Sequence, residues 1–405
     1  ITQVSVVDNV RPQLEVEVFE PVRAEIHRLF LEHVMAHAPG YQRLLELTGE
    51  HIYPTPAAVG KIMRLVAEKY EVNVVGVDIG GATTDVFSVV EGVFNRSVSA
   101  NIGMSYSVGN VFVQAGAENI LRWLPYELAE DDLRDWNYNK MLRPTTLPET
   151  LPELLLEHAV GREALRLSFA DHHRIAVELK GVRKIRSFDD VFDQTPTGQP
   201  LIRPGHIDAI IGSGGLLSHA PRRSQALMLL LDSLQPQGFT RLYVDSVFML
   251  PHLGALAAVS PEIVEAMLFT ECLIPLGTVI APGGAAAAPG TPIADLTIVR
   301  PDGGVERETI RWGEVRVLPF TAQQRAQFQV RPRGRFDLGD GPGRAVEVEL
   351  AGGVVGIVLD GRGRPIQFSR EPRQRQRQVY EWLHALDAYP AEVLDEYISR
   401  FSRGD

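Results

Sequence analysis

The segment of residues 74–90 constrains the fold of this chain more than any other part of the sequence. Two runs rich in β-branched residues, Val74–Val77 and Val86–Val90, flank the sequence Asp78-Ile79-Gly80-Gly81-Ala82-Thr83-Thr84-Asp85. Such residues favour strands, and we expect the adjacent glycines to adopt the positive φ angles of a tight hairpin. The segment therefore predicts a strand, a Gly/Thr turn and a second strand.

The residue types in this turn also suit an anion site. Backbone N–H groups of a glycine-rich turn can bind phosphate oxygens, threonine hydroxyls add donors, and a neighbouring carboxylate can hold a hydrated magnesium ion. An ordinary hairpin, in which Asp and Thr only stabilise the turn, remains the alternative interpretation.

A second glycine-rich segment, Gly212-Ser213-Gly214-Gly215, follows a short apolar strand predicted at 207–211. A helix is predicted after it, from about Pro221 to Leu234. Glycines in such a loop let a flat nucleoside lie against the backbone. A plain strand-to-helix loop fits the segment equally well, and the spacing around Ser213 is not that of the Gly-x-Ser-x-Gly nucleophile elbow.

Two further segments complete an ordered set of four motifs. Tyr53-Pro54-Thr55-Pro56-Ala57-Ala58 leads into a helix predicted to reach Tyr70, and Asp245 is followed by Pro251-His252-Leu253-Gly254-Ala255. The four motifs in this order resemble the actin-like ATPase superfamily. The sequences of residues 77–86, 211–221 and 359–365 are most similar to those of the glutamate mutase accessory protein MutL family. This family is unrelated to the mismatch-repair protein of that name.

The resemblance implies an α/β fold with an actin-like, ribonuclease H-like core. Residues 1–75 would be a remnant of the N-terminal ATPase lobe, and residues 76–271 a second lobe with a helical insertion at about 101–205. A β-rich domain is expected at 290–370 and a helical segment at 371–405. The superfamily's first phosphate hairpin, Asp-x-Gly-Ser/Thr-Thr, is not in this sequence, so we expect the first half of the N-terminal lobe to be missing and this hairpin to lie upstream of Ile1.

Cofactors and residue roles follow from the same resemblance. It implies ATP and magnesium, with Asp78 near the metal or the attacking water, as the catalytic and metal-binding carboxylate. Gly80 and Gly81 would be backbone phosphate donors, and Thr83 and Thr84 hydroxyl donors. Asp85 would fix the turn. The residues expected to face adenosine, or the cleft beside it, are Gly212, Ser213, Gly214, Gly215 and Asp245.

The function implied is that of an ATP-dependent accessory or reactivating chaperone. Its partner would be a cobalamin-dependent mutase such as glutamate (methylaspartate) mutase, which it would help to exchange damaged cofactor. Two alternatives stay open. One is a small-molecule kinase on the same fold, and the other is a non-catalytic protein-interaction module with a vestigial cleft.

The composition limits which partners and which cellular compartment are expected. The chain of 405 residues has 40 Lys and Arg against 51 Asp and Glu, a net charge of −11, which disfavours nucleic acid and anionic membranes as partners. Cys272 is the one cysteine and cannot form an internal disulfide, so a cytoplasmic setting is expected. The stretch 272–292 is interrupted by Pro and Gly, and no membrane span is predicted. Oligomerisation is left open.

Several weaker patterns have less specific interpretations. His33 and His37 lie four residues apart on a predicted helix, but no third ligand accompanies them. His172 and His173 are expected on a solvated surface, and the acidic run Glu130–Asp132 on a solvated helix face. Arg370–Arg377 is expected to open a helix. Short strands are predicted after residue 291, at 295–299, 305–310, 315–320, 345–350, 354–360 and 365–368.

Overall fold

The structure of the protein is a computed structural model that describes residues 4–13, 18–34, 37–48, 52–177, 200–203 and 205–401. The chain divides into two compact units. The first unit combines residues 1–54 with 177–201, and it contains helices α1 (Glu20–His33) and α2 (Tyr41–Thr48). The second unit combines residues 55–176 with 202–405 and carries the sheets and the remaining helices.

The strands of the second unit lie in two sheets. They are β1 (Val74–Ile79), β2 (Thr84–Val90), β3 (Val93–Ser99), β4 (Ala209–Ser213), β5 (Gly238–Asp245), β6 (Leu273–Ala281), β7 (Pro292–Val299), β8 (Val305–Arg311), β9 (Val315–Leu318), β10 (Arg325–Pro332), β11 (Val346–Ala351) and β12 (Gly356–Asp360). An eight-stranded sheet has the order β3-β2-β1-β4-β5-β6-β12-β9, and a four-stranded sheet the order β11-β10-β7-β8. The fold is mixed α/β, as predicted.

The helices of this unit pack mainly on the eight-stranded sheet. They are α3 (Thr55–Tyr70), α4 (Val108–Ala115), α5 (Ala117–Leu121), α6 (Glu130–Leu142), α7 (Leu151–Ile175), α8 (Gly215–Ser218), α9 (Arg223–Leu234), α10 (Leu250–Leu256), α11 (Pro261–Met267), α12 (Pro372–Ala385) and α13 (Ala391–Phe401). Residues of α7 and α9 form one hydrophobic core with the sheet, and residues of α3 and α10 form another. Successive strand residues alternate between these cores, so the two lie on opposite faces.

Strand direction is mixed within the large sheet. β1 runs antiparallel to β2, while β4 runs parallel to both β1 and β5. The predicted hairpin and the predicted strand at 207–211 are therefore confirmed. None of the helices among the described residues has both the length and the apolar character needed to cross a bilayer.

The segment predicted to be β-rich divides between the two sheets. β7, β8, β10 and β11 form the small sheet, whereas β9 and β12 extend the large one. The strand predicted at 365–368 is wrong, because these residues turn and the Ile366 N–H donates to the Gln235 side chain at 2.8 Å rather than to a strand. The domain boundaries given above stay a prediction.

A buried network of opposite charges joins helices to the end of β12. Arg362, which is 1% exposed, donates to both Asp360 oxygens at 2.9 Å and to Asp232 at 2.7 Å. Arg162 of α7 donates to the other Asp232 oxygen at 2.7 Å. Burial opposes ionisation of Asp360, but the guanidinium groups of Arg362 and Arg364 hold its pKa well below the usual range. The network depends on these carboxylates being ionised.

We expect Asp360→Asn to destabilise the fold by about 3–5 kcal/mol, since removal of one partner leaves buried guanidinium charge uncompensated. Urea denaturation measures the change. Asp135→Asn, the same chemical change at an exposed position of α6, is the control and should alter the free energy of unfolding by less than about 0.5 kcal/mol. Equal denaturation midpoints for the two variants would contradict the role assigned to the network.

Candidate functional site

Three of the predicted motifs meet at one edge of the large sheet. β1, β4 and β5 are parallel neighbours, so their carboxyl ends lie side by side. The register places Asp78 opposite Ser213 and Gly212 opposite Val244, one residue before Asp245. Side chains from three distant parts of the chain are thus brought together where ligands of open α/β sheets commonly bind.

Asp78 is a buried acid with an unusual charge environment. Its side chain is 8% exposed, and burial is the main cause that raises its pKa to about 7. The nearby carboxylates of Asp85 and Asp245 raise it further. Among the described residues, no hydrogen bond or ion pair to the Asp78 carboxyl is found. A group that titrates near neutral pH and has no protein partner is suited to bind a cation or a proton.

The two neighbouring carboxylates are already engaged. Asp85 accepts from Nε of Arg96 at 3.1 Å and lies 3.0 Å from Nη2 of the same guanidinium, while burial still raises its pKa. Asp245 accepts from the N–H groups of Met249 and Leu250 at 2.7 and 3.0 Å, at the start of α10. It also accepts from the Ser213 hydroxyl at 3.1 Å. Asp85 therefore stabilises the hairpin, and Asp245 and Ser213 hold α10 and the loop after β4.

The glycines of the hairpin turn do not adopt the predicted positive φ angles, so that expectation is wrong. The two glycines are closely packed instead: a Cβ on Gly80 would lie 3.1 Å from the Thr83 carbonyl oxygen, and one on Gly81 would lie 2.3 Å from the Ser105 hydroxyl oxygen. The carbonyls of Gly80 and Gly81 accept from the N–H groups of Met104 and Ser105 at 3.0 and 2.9 Å. The turn is fixed by the loop of residues 102–107.

Only some of the predicted hydrogen-bond donors of the hairpin lack a partner among the described residues. The Gly80 N–H donates to the Thr83 carbonyl at 2.9 Å, and the buried Thr84 hydroxyl donates to the Ile102 carbonyl at 3.0 Å. Neither group is available to a ligand in this arrangement. In the described part of the chain, no hydrogen-bond partner is found for the N–H groups of Gly81 and Ala82. These two groups, with the partly exposed Thr83, remain as donors.

The loop after β4 packs directly on the end of β1. Gly214 has φ +97°, and a Cβ there would lie 2.2 Å from the Ile79 carbonyl oxygen. Glycine is required at this position by both the conformation and the close approach. Gly212 is buried in the sheet, whereas Gly215 is exposed, and apart from its chain neighbours and its own helix no atom lies within 4 Å of its Cβ position. Of the glycines in this loop, Gly215 borders open space.

A cavity of about 770 Å³ adjoins this edge of the sheet. Gly80, Gly81 and Gly215 line one side of it, and the loop between α6 and α7 lines another. Tyr389 and Val393, from the C-terminal part of the chain, complete the wall. Its volume is within the range of small-molecule and cofactor sites.

Several cavity residues were not predicted from the sequence. Lys140 pairs with Glu157 at 2.8 Å, and Nδ1 of His158 lies 2.7 Å from the Tyr389 hydroxyl oxygen. Burial lowers the pKa of His158 to about 3, so this imidazole is neutral at pH 7. No local motif marks these residues. Helical packing brings them to the cavity from α6, α7 and the C-terminal segment.

The weaker predictions have mixed outcomes. His172 is fully buried, with its ring nitrogens 2.8 and 2.9 Å from the hydroxyls of Ser97 and Ser88, so its predicted surface position is wrong. Burial lowers its pKa to about 4. Glu130–Asp132 form the exposed first turn of α6, and Arg370–Arg377 leads into α12, as predicted.

Comparisons with known proteins identify relatives of this sequence. Residues 1–272 match a family model described as MutL protein. Protein MutL of Clostridium tetanomorphum is 25% identical over an alignment of 283 residues, and the match covers 64% of this chain and 58% of that protein. The match therefore spans somewhat more than half the length of this relative.

A solved structure also matches part of the chain. It is component A of (R)-2-hydroxyglutaryl-CoA dehydratase from Acidaminococcus fermentans, at 13% sequence identity and a TM-score of 0.25. The match covers 53% of this chain and 70% of that one. A TM-score this low carries no argument about fold or function.

We expect Asp78→Asn to stabilise the protein in a pH-dependent way. Because the pKa of Asp78 is raised to about 7, its stabilising protonated form is lost in the folded state as the pH rises toward 7, whereas the unfolded chain ionises near pH 4. The asparagine side chain of the variant does not ionise, so the variant does not lose stability in this way. Its gain in the free energy of unfolding should grow between about pH 4 and pH 7 and level off at roughly 2–4 kcal/mol.

Urea denaturation at a series of pH values checks this expectation. Asp135→Asn, at an exposed position, should show no such trend. A difference between Asp78→Asn and the unmodified protein that stays constant from pH 4 to pH 8 would show that the pKa of Asp78 is not raised.

Proposed function

The chain belongs to the MutL protein family, and from this membership we propose that it is the nucleotide-binding part of an ATP-dependent accessory protein for a cobalamin-dependent mutase. The likeness of its motifs to the glutamate mutase accessory proteins supports the choice of partner. The proposed core is actin-like, with the nucleotide at the carboxyl ends of β1, β4 and β5. The strand order supports this location, since the chain order reverses at β1.

The observation that carries the proposal is that, within the described part of the chain, neither the Asp78 carboxyl nor the N–H groups of Gly81 and Ala82 in the same hairpin have a hydrogen-bond partner. Magnesium is commonly bound through one or two protein carboxylates together with phosphate oxygens of the substrate. A cation near Asp78 would favour its ionised form and offset the repulsion from Asp85 and Asp245. The residues present therefore fit a magnesium-bound phosphate group.

Different groups of the chain would bind the magnesium ion, the phosphates and the nucleoside. Asp78 would hold the magnesium side, and the N–H groups of Gly81 and Ala82 with the Thr83 hydroxyl would bind phosphate. The nucleoside would lie along Gly215 and the start of α8, where no Cβ obstructs it. Magnesium ATP supplies a triphosphate whose binding or hydrolysis can change the affinity for a partner. Gly80, Thr84, Ser213 and Asp245 would act by holding the surrounding backbone.

Gly215→Val tests the nucleotide position without disturbing the fold. Nothing lies within 4 Å of the Cβ position and φ is not positive there, so the melting temperature should be unchanged, while the valine side chain projects into the cavity. We expect magnesium ATP to bind at least about tenfold more weakly, an effect of about 1.4 kcal/mol. The affinity of Gly215→Ala, which adds a single methyl group, should lie between those of the unmodified protein and Gly215→Val.

Calorimetric titration of the protein with magnesium ATP measures this change in affinity. Asp78→Ala should also weaken binding, but only when magnesium is present. Full nucleotide affinity in Gly215→Val, or no saturable binding by the unmodified protein, would contradict the nucleotide site.

The proposed partner is tested with the protein itself. When it is used as bait in a cell extract that contains a cobalamin-dependent mutase, we expect a mutase subunit to be retained in amounts that change between magnesium ATP and magnesium ADP. Capture by Gly215→Val should lose this nucleotide dependence, and Asp135→Asn should keep it. Absence of any cobalamin enzyme from the retained proteins would contradict the choice of partner.

The same pull-down experiment distinguishes the proposed accessory ATPase from a non-catalytic interaction module. A module with a vestigial cleft would retain the mutase equally in both nucleotides, and Asp78→Ala would not change the amount. The accessory ATPase predicts that both comparisons give a difference.

A further inference from the structure

A second cavity, of about 730 Å³, lies on the other face of the large sheet. Val66 and Tyr70 of α3, Ala209 at the start of β4, and Tyr243 of β5 are among its lining residues. Val66, Ala209 and Tyr243 belong to the core formed with α3 and α10, whereas the candidate nucleotide cavity adjoins the core formed with α7 and α9. The two cavities are therefore separate.

Aromatic rings form one wall of this second cavity. Phe269 packs edge-to-face on Tyr70, with ring centroids 4.9 Å apart, and on Tyr243 at 5.6 Å. An ion pair between Lys69 and Glu265 joins α3 to α11 beside the wall. Phe269 is only partly buried, so part of its ring faces the cavity. Such a wall favours an apolar or aromatic ligand body.

Arg241 adds an unpaired cation to this wall. Its guanidinium carbon lies 5.2 Å from the centroid of the Tyr243 ring. Its Nε is buried without a hydrogen-bond partner, and no ion pair to Arg241 is found among the described residues. Buried polar groups of native proteins nearly always have a partner, and one left without costs stability. Arg362, by contrast, is paired on all sides by Asp360 and Asp232.

The other charged groups around the cavity are already bound or exposed. Arg325 pairs with Glu349 at 2.9 Å, and Asp208 accepts from the Asn73 N–H at 2.7 Å. Glu271 is exposed to solvent. The group that lacks a counter-charge next to the aromatic wall is therefore the guanidinium of Arg241.

We propose that this cavity is a binding site for a small carboxylate with an aromatic or apolar body. The carboxylate accepts hydrogen bonds from Arg241, and the body packs against Phe269 and the Tyr243 ring. A charge-assisted bond of this kind is stronger than a neutral one. The site does not depend on the proposed nucleotide function, so each can fail without the other.

Three probes of one shape and different charge test the proposal: 3-phenylpropionate, neutral 3-phenylpropanamide and cationic 3-phenylpropylamine. Binding is measured by NMR titration of the protein. We expect 3-phenylpropionate to bind saturably in the millimolar range and the amide about tenfold more weakly, as the loss of a charged hydrogen bond implies. The amine should bind most weakly.

Variants then assign the binding to this cavity. Arg241→Gln should reduce the affinity for 3-phenylpropionate to that of the amide, and Arg241→Lys should restore part of it. Arg331→Gln, an exposed position on β10, is the matched control and should leave affinity unchanged. Phe269→Leu provides a second test if Arg241→Gln does not fold, and it should weaken the acid and the amide alike.

Three outcomes would overturn the proposal. They are the absence of saturable binding of 3-phenylpropionate, equal affinity for the acid and the amide, and an unchanged affinity of a folded Arg241→Gln or, if that variant does not fold, of Phe269→Leu.

Discussion

The parallel pairing of β1 with β4 is the interaction on which the candidate site depends. This register sets Asp78 beside Ser213 and brings the loop after β4 to the end of β1. The loop can come this close because Gly214 has no Cβ to meet the Ile79 carbonyl oxygen. A slip of one residue would invert the side chains of β4 and remove the alignment. The position of the cavity is thus a consequence of backbone geometry more than of any one side chain.

The carboxylates buried in this unit are stabilised in different ways, and the difference identifies the site. Asp360 is neutralised by arginines, Asp85 by Arg96, and Asp245 by backbone N–H groups. Asp78 has no such partner among the residues that the structure describes, and its pKa is raised while that of Asp360 is lowered. A buried acid that the fold does not neutralise costs stability at neutral pH. Asp78 is therefore hard to explain by the needs of the fold alone.

The local sequence pattern was sufficient to predict the hairpin and the strand before Gly212, since both are short runs of strand-favouring residues next to glycine. It was not sufficient for the turn, because Gly80 and Gly81 do not have positive φ and are instead packed closely against Thr83 and Ser105. Strand β6 escaped prediction because Pro275 interrupts its pattern, and the structure places Pro275 at an irregularity in the pairing with β5. Lys140 and Tyr389 reach the cavity only through tertiary packing, which no sequence window contains.

Strand β5 carries Arg241 and Tyr243, which line the second cavity, and it ends at Asp245, whose charge acts on Asp78. It is hydrogen-bonded to β4 on one edge and to β6 on the other, and Asp245 anchors α10 at its end. A strand paired on both edges cannot slide without breaking both ladders. Ligands in the two cavities are therefore not coupled by movement of β5 along its axis. Any coupling would have to pass through side chains that differ between the two faces of the sheet, and the fold keeps those faces in separate cores.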